Sequence, residues 1–361
     1  MRLARPGRRA RWVGIKAAYG GGVVGAVGAA GYAVLRAEAT LARRTIGEPT
    51  SQAPVPDGTY GRYLGRPLRL AVIGDSSAAG LGVDAPGETP GALLAGGLAR
   101  DLRRRVELDV VAAVGARSAD LDVQVARALK RPIDLAVVMV GANDVTHRVP
   151  PGDAARDLGR AVRTLRAAGA HVVAGTCPDL GTVEPVLQPL RAVARRWSRR
   201  LAKDQAIAVV ENGGTAVSLG DLLGPEFAES PHLWSADRFH PSAAGYRRMT
   251  DALLPSLLEA AGVTIPVSVP VSSIVQDVEL AASAAAQEPG LVVETMPDAE
   301  GIAAAGHGRL TRLVRRLPLV GRGAPDERAE EGLGAPVAPS APARADAHRP
   351  DAPTSSSGSS P

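Results

Sequence analysis

Residues 133–140 read IDLAVVMV, apolar at every position except Asp134. A run this short and this uniformly apolar predicts a strand buried on both faces, and such strands belong to parallel sheets covered by helices on either side. Shorter apolar runs at 68–73, 106–114, 171–175 and 207–210 are expected to be its neighbours. Helical patterns fill the gaps between them. Thr89-Pro90 supplies an N-cap and a proline at the first helical position for a helix to about residue 104. Further helices are predicted over 118–129, over 153–168 before Gly169, and over 242–260. Between these, Leu187, Leu190, Val193, Ala194, Trp197 and Leu201 recur at helical spacing opposite Arg191, Arg195 and Arg199.

This alternation predicts an α/β fold: a three-layer α/β/α, flavodoxin-like sandwich around a mostly parallel five-stranded sheet. Sites in such sheets lie beyond the carboxyl ends of the strands. Four short motifs fall there. Gly74-Asp75-Ser76-Ser77 follows the first run, Gly115 the second, and Gly141-Ala142-Asn143-Asp144 the third, while Asp237-Arg238-Phe239-His240 precedes the last helix.

Acyl transfer needs a nucleophile, a base and donors aimed at the oxyanion. A hydroxyl on a tight turn, a glycine amide, an asparagine side chain and a histidine can supply that set. Asp237, three residues before His240, is within one turn of chain of the imidazole and can orient it. The serine turn is not a G-x-S-x-G elbow, because Ala78 stands where the second glycine would be. Each motif also has a plainer reading: Ser76 as a helix cap or phosphate-loop residue, Gly115 as a turn, Asn143 as an Asx-turn, and Asp237 with His240 as a surface pair.

Taken together, the four motifs resemble the SGNH (GDSL-type) hydrolase family over about residues 69–257. The resemblance implies a cofactor-free serine esterase in which Ser76 is the nucleophile, His240 the base and Asp237 its orienting acid. It also implies an oxyanion hole made by the amides of Ser76 and Gly115 and the side chain of Asn143. His147 and Trp234 are candidate pocket residues. Cys177 offers a rival nucleophile, although a buried free cysteine is the commoner case. No metal-ligand spacing and no GxxxxGK[ST] phosphate loop is present. The expected substrate is a small-molecule, carbohydrate or lipid ester, with short acyl groups favoured by the scarcity of large apolar residues at 212–238. Two alternatives stay open, an acyltransferase using the same site and a membrane-tethered binding module without activity.

The charge balance argues against nucleic acid as a partner. Residues 1–50 carry nine Lys/Arg and two acids, or +7, against a formal +5 for all 361 residues, so the remainder is near −2. Arginine greatly outnumbers lysine and Ala, Gly and Pro abound, a bias typical of high-GC bacterial coding sequence. Within the basic region 1–46, residues 17–35 are uncharged and long enough to span a bilayer. A single-pass anchor with the domain outside the cell membrane is expected; a signal peptide cleaved after Ala37-Glu38-Ala39 (a secreted protein) and a non-membrane (cytoplasmic) helix are the alternatives. A linker is expected over 47–66, the hydrolase domain over 67–262, and a low-complexity, mostly disordered region over 263–361, with a short helix near 309–317.

Overall fold

The computed structural model describes residues 28–42, 44–46, 52–263, 275–276, 291–295 and 311–315. Residues 28–42 form helix α1. The segment 17–35 is thus covered only from residue 28, its first part lying outside the described residues. Among the described residues no helix is long and apolar enough to cross a membrane.

The strands are β1 (Gly58–Tyr60), β2 (Leu68–Gly74), β3 (Val106–Val110), β4 (Leu135–Met139), β5 (His171–Gly175), β6 (Thr215–Val217), β7 (Val275–Gln276), β8 (Leu291–Thr295) and β9 (Thr311–Arg315). They pair in the order β1-β3-β2-β4-β5-β6-β8-β9-β7. The five central strands, β3 to β6 in that order, are parallel. The sheet is wider than the five strands expected, because antiparallel strands extend both edges. One comes from the expected linker. The others come from the C-terminal region expected to be disordered, where 311–315 is a strand rather than a helix.

Between the strands lie α2 (Ser76–Ala79), α3 (Pro90–Leu102), α4 (Leu121–Ala128), α5 (Ala142–Thr146), α6 (Pro151–Ala167), α7 (Leu190–Glu211), α8 (Leu219–Glu229) and α9 (Ala243–Ala260). Side-chain alternation on β2 divides the core. Leu70 and Val72 join Leu94, Leu98, Tyr246 and Leu253 of α3 and α9 on one face. Ala71 and Ile73 join Val125, Leu158, Val162 and Val209 of α4, α6 and α7 on the other. Each face is sealed by helices, which is why the central strands carry no polar alternation.

The run 207–210, expected to be the fifth strand, is instead the end of α7. Leu201, Ala202, Gln205, Ala206, Val209 and Val210 are all buried, a pattern that repeats every three to four residues and continues the helix's inner stripe. The strand itself is Thr215–Val217, after the turn at Gly213, whose φ is +81°. Four apolar residues look the same in a strand and at the buried end of a helix.

Chain reversal at β2 is possible only with glycine. Gly74 has φ +144°, and a Cβ there would lie 1.8 Å from the Met139 carbonyl oxygen on β4. Gly74→Ala is therefore expected to cost at least about 3 kcal/mol through strain and overpacking. Gly96, inside α3 with open space around it, should behave oppositely: Gly96→Ala is expected to stabilise by about 0.5–1 kcal/mol through helix propensity. Urea midpoints of the two variants check both signs.

Candidate active site

The first strand of the parallel set in chain order, β2, has β3 on one side and β4 on the other, so the chain reverses direction of winding there. This is the switch point at which a doubly wound sheet opens a crevice. The turn after β2 is held on three sides. Gln124 of α4 accepts from the Gly74 amide at 2.8 Å and donates to its carbonyl at 2.9 Å, and the Asp75 amide donates to Met139 of β4 at 3.0 Å. Asp75 caps α2 by accepting from the Ser77 amide at 2.9 Å. Ser76 is the first residue of that helix, so its own N–H has no intrahelical acceptor.

The loops after β3 and β4 are tied together. Asn143 of α5 donates its side-chain amide to the Ala116 carbonyl at 3.0 Å, next to Gly115 with its φ of +82°. Beside it the buried Asp144 accepts from both the amide and the hydroxyl of Ser118, the hydroxyl at 2.8 Å. Burial pushes the Asp144 carboxyl up, against the lowering effect of those Ser118 bonds. Gly115 and Asn143 are thereby fixed relative to each other.

His240 arrives from the far end of the domain. Trp234 bridges Pro241 in an antiparallel pair, and the Ser235 amide donates to the His240 carbonyl at 2.8 Å, closing the segment between them into a loop. Inside it, one oxygen of Asp237 accepts from the Ser235 hydroxyl (2.7 Å) and the amides of Phe239 (2.8 Å) and His240 (2.9 Å). The other lies 2.6 Å from His240 Nδ1, and His240 Nε2 lies 2.9 Å from Ser76 Oγ. Burial acts to raise the Asp237 carboxyl, but these hydrogen bonds outweigh it and hold it well below the usual carboxylate range. With Asp237 ionised, Nδ1 carries the proton and Nε2 is free to take one from Ser76.

The structure brings Ser76, His240 and Asp237 into one line, and Gly115 and Asn143 onto adjoining loops. Of the two candidate pocket residues, Trp234 lines a cavity of about 70 Å3 together with Asp75, Ser77, Ala142, Phe239 and Pro241, the sequence neighbours of Ser76, Asn143 and His240. Its far wall is apolar, with Met139, Leu180, Val183, Leu219 and Phe227. His147 is not part of that lining. It is exposed at the end of α5, its Nδ1 2.8 Å from the Asn143 carbonyl. Cys177 is fully buried, and burial, then Asp75, Asp144 and Asp179, push its thiol well up, so it lacks thiolate character. No group of three or more His, Cys, Asp or Glu side chains among the described residues could hold a metal ion.

The sequence reading missed Gln124, Ser118 and Ser235, which hold the three site loops. Only Ser235 left a signal, its two-residue spacing from Asp237. Tyr246 of α9 adds a further tie: its hydroxyl donates to the Leu81 carbonyl at 2.6 Å, pinning α9 to the chain after α2.

A hydroxyl, an imidazole and a carboxylate in line at the switch point of a doubly wound sheet define a serine-hydrolase class of site. Residues 72–248 match the GDSL-like lipase/acylhydrolase family. The chain is 42% identical over 240 residues to the GDSL-like esterase Rv1075c of Mycobacterium tuberculosis, covering 63% of this chain and 76% of that protein. It is also similar to the solved structures of TesA (23% identity, 53% of this chain and 99% of that one, TM-score 0.43) and of the lipase/acylhydrolase from Enterococcus faecalis (18% identity, 54% and 96%, TM-score 0.43). The chain belongs to the GDSL-like lipase/acylhydrolase family and is an SGNH-type ester hydrolase.

Burial pushes the Asp75 carboxyl up to about 6, with the hydrogen bond from the Ser77 amide opposing it. The folded state then keeps a proton that the unfolded chain releases between about pH 4 and 6, so stability declines as pH rises through that window, by roughly 2–3 kcal/mol for this group. Asp75→Asn can still accept from Ser77 but does not titrate. Its unfolding free energy is expected to fall less steeply from pH 4 to pH 6 than that of the wild type, measured by urea denaturation at several pH values; parallel slopes would contradict the assignment.

Proposed function

We propose that this chain cleaves short-acyl carboxylic esters through a covalent acyl-serine. The observation that carries the reading is the line from Ser76 Oγ through His240 to Asp237. Ser76 Oγ attacks the ester carbonyl while His240 Nε2 takes its proton. The oxyanion is met by the amides of Ser76 and Gly115 and by Asn143 Nδ2. Collapse breaks the bond to the alcohol, which leaves with the proton from His240. Water then repeats the sequence, releasing the acid and restoring Ser76.

The size of the cavity beside the Ser76 turn supports short acyl chains. One water needs on the order of 10–15 Å3 of such space, so about 70 Å3 takes a chain of only a few heavy atoms. Each enclosed methylene contributes about 0.8 kcal/mol until the space is full. In a p-nitrophenyl ester series of two to sixteen carbons, kcat/KM is expected to peak by about four to six carbons; a climb continuing past ten would overturn the short-acyl reading. The basic, apolar leader would hold the domain outside the cell membrane, which protease accessibility on intact cells checks.

Ser76→Ala is expected to abolish turnover while unfolding as the wild type does, and Ser77→Ala to cost little. Asn143→Ala should lower kcat by about 10²–10³ with a smaller change in KM, because an oxyanion donor acts mainly in the transition state. Asp237→Asn should lie between Asn143→Ala and His240→Ala. Steady-state kinetics on one short ester measures all five.

A further inference from the structure

Three of the polar side chains on the cavity beside the Ser76 turn are engaged within the protein. Asp75 accepts from the Ser77 amide, Asp179 from the Gly181 amide (2.8 Å) and Arg199 (3.2 Å), and Thr182 donates to the Asp179 carbonyl (2.7 Å). Thr176 differs. It lines the same cavity and is only 2% exposed, yet its hydroxyl has no hydrogen-bond partner among the described residues. A buried threonine ordinarily satisfies its hydroxyl on its own turn of backbone. Thr89 and Thr250 do so, each donating to the carbonyl three residues earlier, at 2.8 and 2.9 Å. Thr176 follows directly on β5, where the extended chain carries the earlier carbonyls out of reach. Its amide donates to Val217 of β6 at 2.9 Å. Valine would fill the same space without burying an unpaired polar group, which is unfavourable. The hydroxyl is left for whatever occupies the cavity.

The sheet register sets the reach from Ser76. Gly74 pairs with Met139 and Met139 with Gly175, so the last residues of β2 and β5 stand level, two strand spacings or about 10 Å apart. Ser76 lies two residues beyond the first and Thr176 one beyond the second. An acyl chain on Ser76 Oγ that crosses the end of β4 covers a distance of this order with few atoms. At about 1.3 Å of advance per bond and about 2.8 Å for a hydrogen bond, an oxygen on the third or fourth carbon reaches a partner about 7–8 Å from the acyl carbonyl carbon. Such a chain also fits the cavity of about 70 Å3. Because a threonine hydroxyl both donates and accepts, a hydroxyl or a keto oxygen suits it equally. We propose that Thr176 is the specificity subsite for esters of short hydroxy- or oxo-acids, hydrogen-bonding the oxygen on the acyl chain. The inference rests on the ester-hydrolase reading of the Ser76 site and on the cavity as its acyl pocket.

Paired p-nitrophenyl esters test it: butyrate against racemic 3-hydroxybutyrate, and pentanoate against 4-oxopentanoate. In each protein the ratio of kcat/KM within a pair is measured. Dividing the wild-type ratio by that of Thr176→Val removes the intrinsic reactivity of the esters. The quotient is expected to favour the oxygen-bearing ester at least about tenfold in one pair or both, mainly through KM, because a site built around a hydroxyl rejects the analogue that leaves it unpaired. Thr176→Ser should keep a preference that Thr176→Ala loses. That second comparison decides the matter if thermal melts show that the valine variant does not fold. Quotients near one in both pairs overturn the proposal, leaving the hydroxyl to a bound water and the esterase reading intact. If the wild type turns over none of the four esters, the esterase reading fails instead, and calorimetry with ethyl 4-oxopentanoate and ethyl pentanoate decides the subsite. Tighter wild-type binding of the first, lost in Thr176→Val, supports it; equal or absent binding overturns it.

Discussion

The turn from β2 into α2 is the constraint on which the site depends. Its residues must pass close enough to β4 for the Asp75 amide to reach Met139, which leaves no room for a Cβ at Gly74. The polar groups exposed by that sharp turn are satisfied by a single buried side chain, Gln124, using both ends of its amide. A buried backbone N–H or C=O without a partner is costly, so Gln124 holds the serine turn as firmly as a strand pairing would. The product is a hydroxyl at the start of a one-turn helix, at the point where the sheet opens.

The partner of that hydroxyl is held by different means. His240 and Ser76 are 164 residues apart in the chain, and nothing local to either could align them. The alignment comes from α9, which packs Tyr246, Met249, Leu253 and Leu257 into the core on the α3 side. Tyr246 then ties that helix to the Leu81 carbonyl, just beyond α2. On this base the 234–241 loop is organised by one carboxylate. Asp237 gathers donors from Ser235, Phe239 and His240 as well as the imidazole. One group thus sets both the loop's shape and the ring's orientation, and its depressed titration is the electrostatic trace of those bonds.

Much of this was legible in the residues themselves. The central strand 135–139, the capped start of α3 and the placement of three motifs after strands and of the fourth before the last helix followed from local pattern, because burial on both faces and capping each leave marks within a few residues. The boundary of α7 did not, since a run of Ile, Ala and Val is compatible with either state until its neighbours are known. Neither did the antiparallel strands added outside the parallel set, β1, β7, β8 and β9, because joining the sheet depends on pairing β1 with β3 and β8 with β6, about 50 and 75 residues apart. His147 was drawn toward the pocket by its spacing from Asn143, yet α5 ends there and turns the ring toward its own backbone.

By itself the sequence determined which reactive residue types are present and on which kind of scaffold. Ser76, His240, Asp237, Gly115 and Asn143 stand in short motifs, and the strand–helix alternation dictates a doubly wound sheet. What only the tertiary structure decided is how these groups meet. Ser76 faces His240 because two helices on the same side of the sheet bring together segments more than 160 residues apart. Gln124 and Ser118 acquire meaning only once α4 and the turn after β3 are in place. Short-range patterns encode backbone preference and burial; long-range contacts depend on packing among many elements at once, and no local window contains that information.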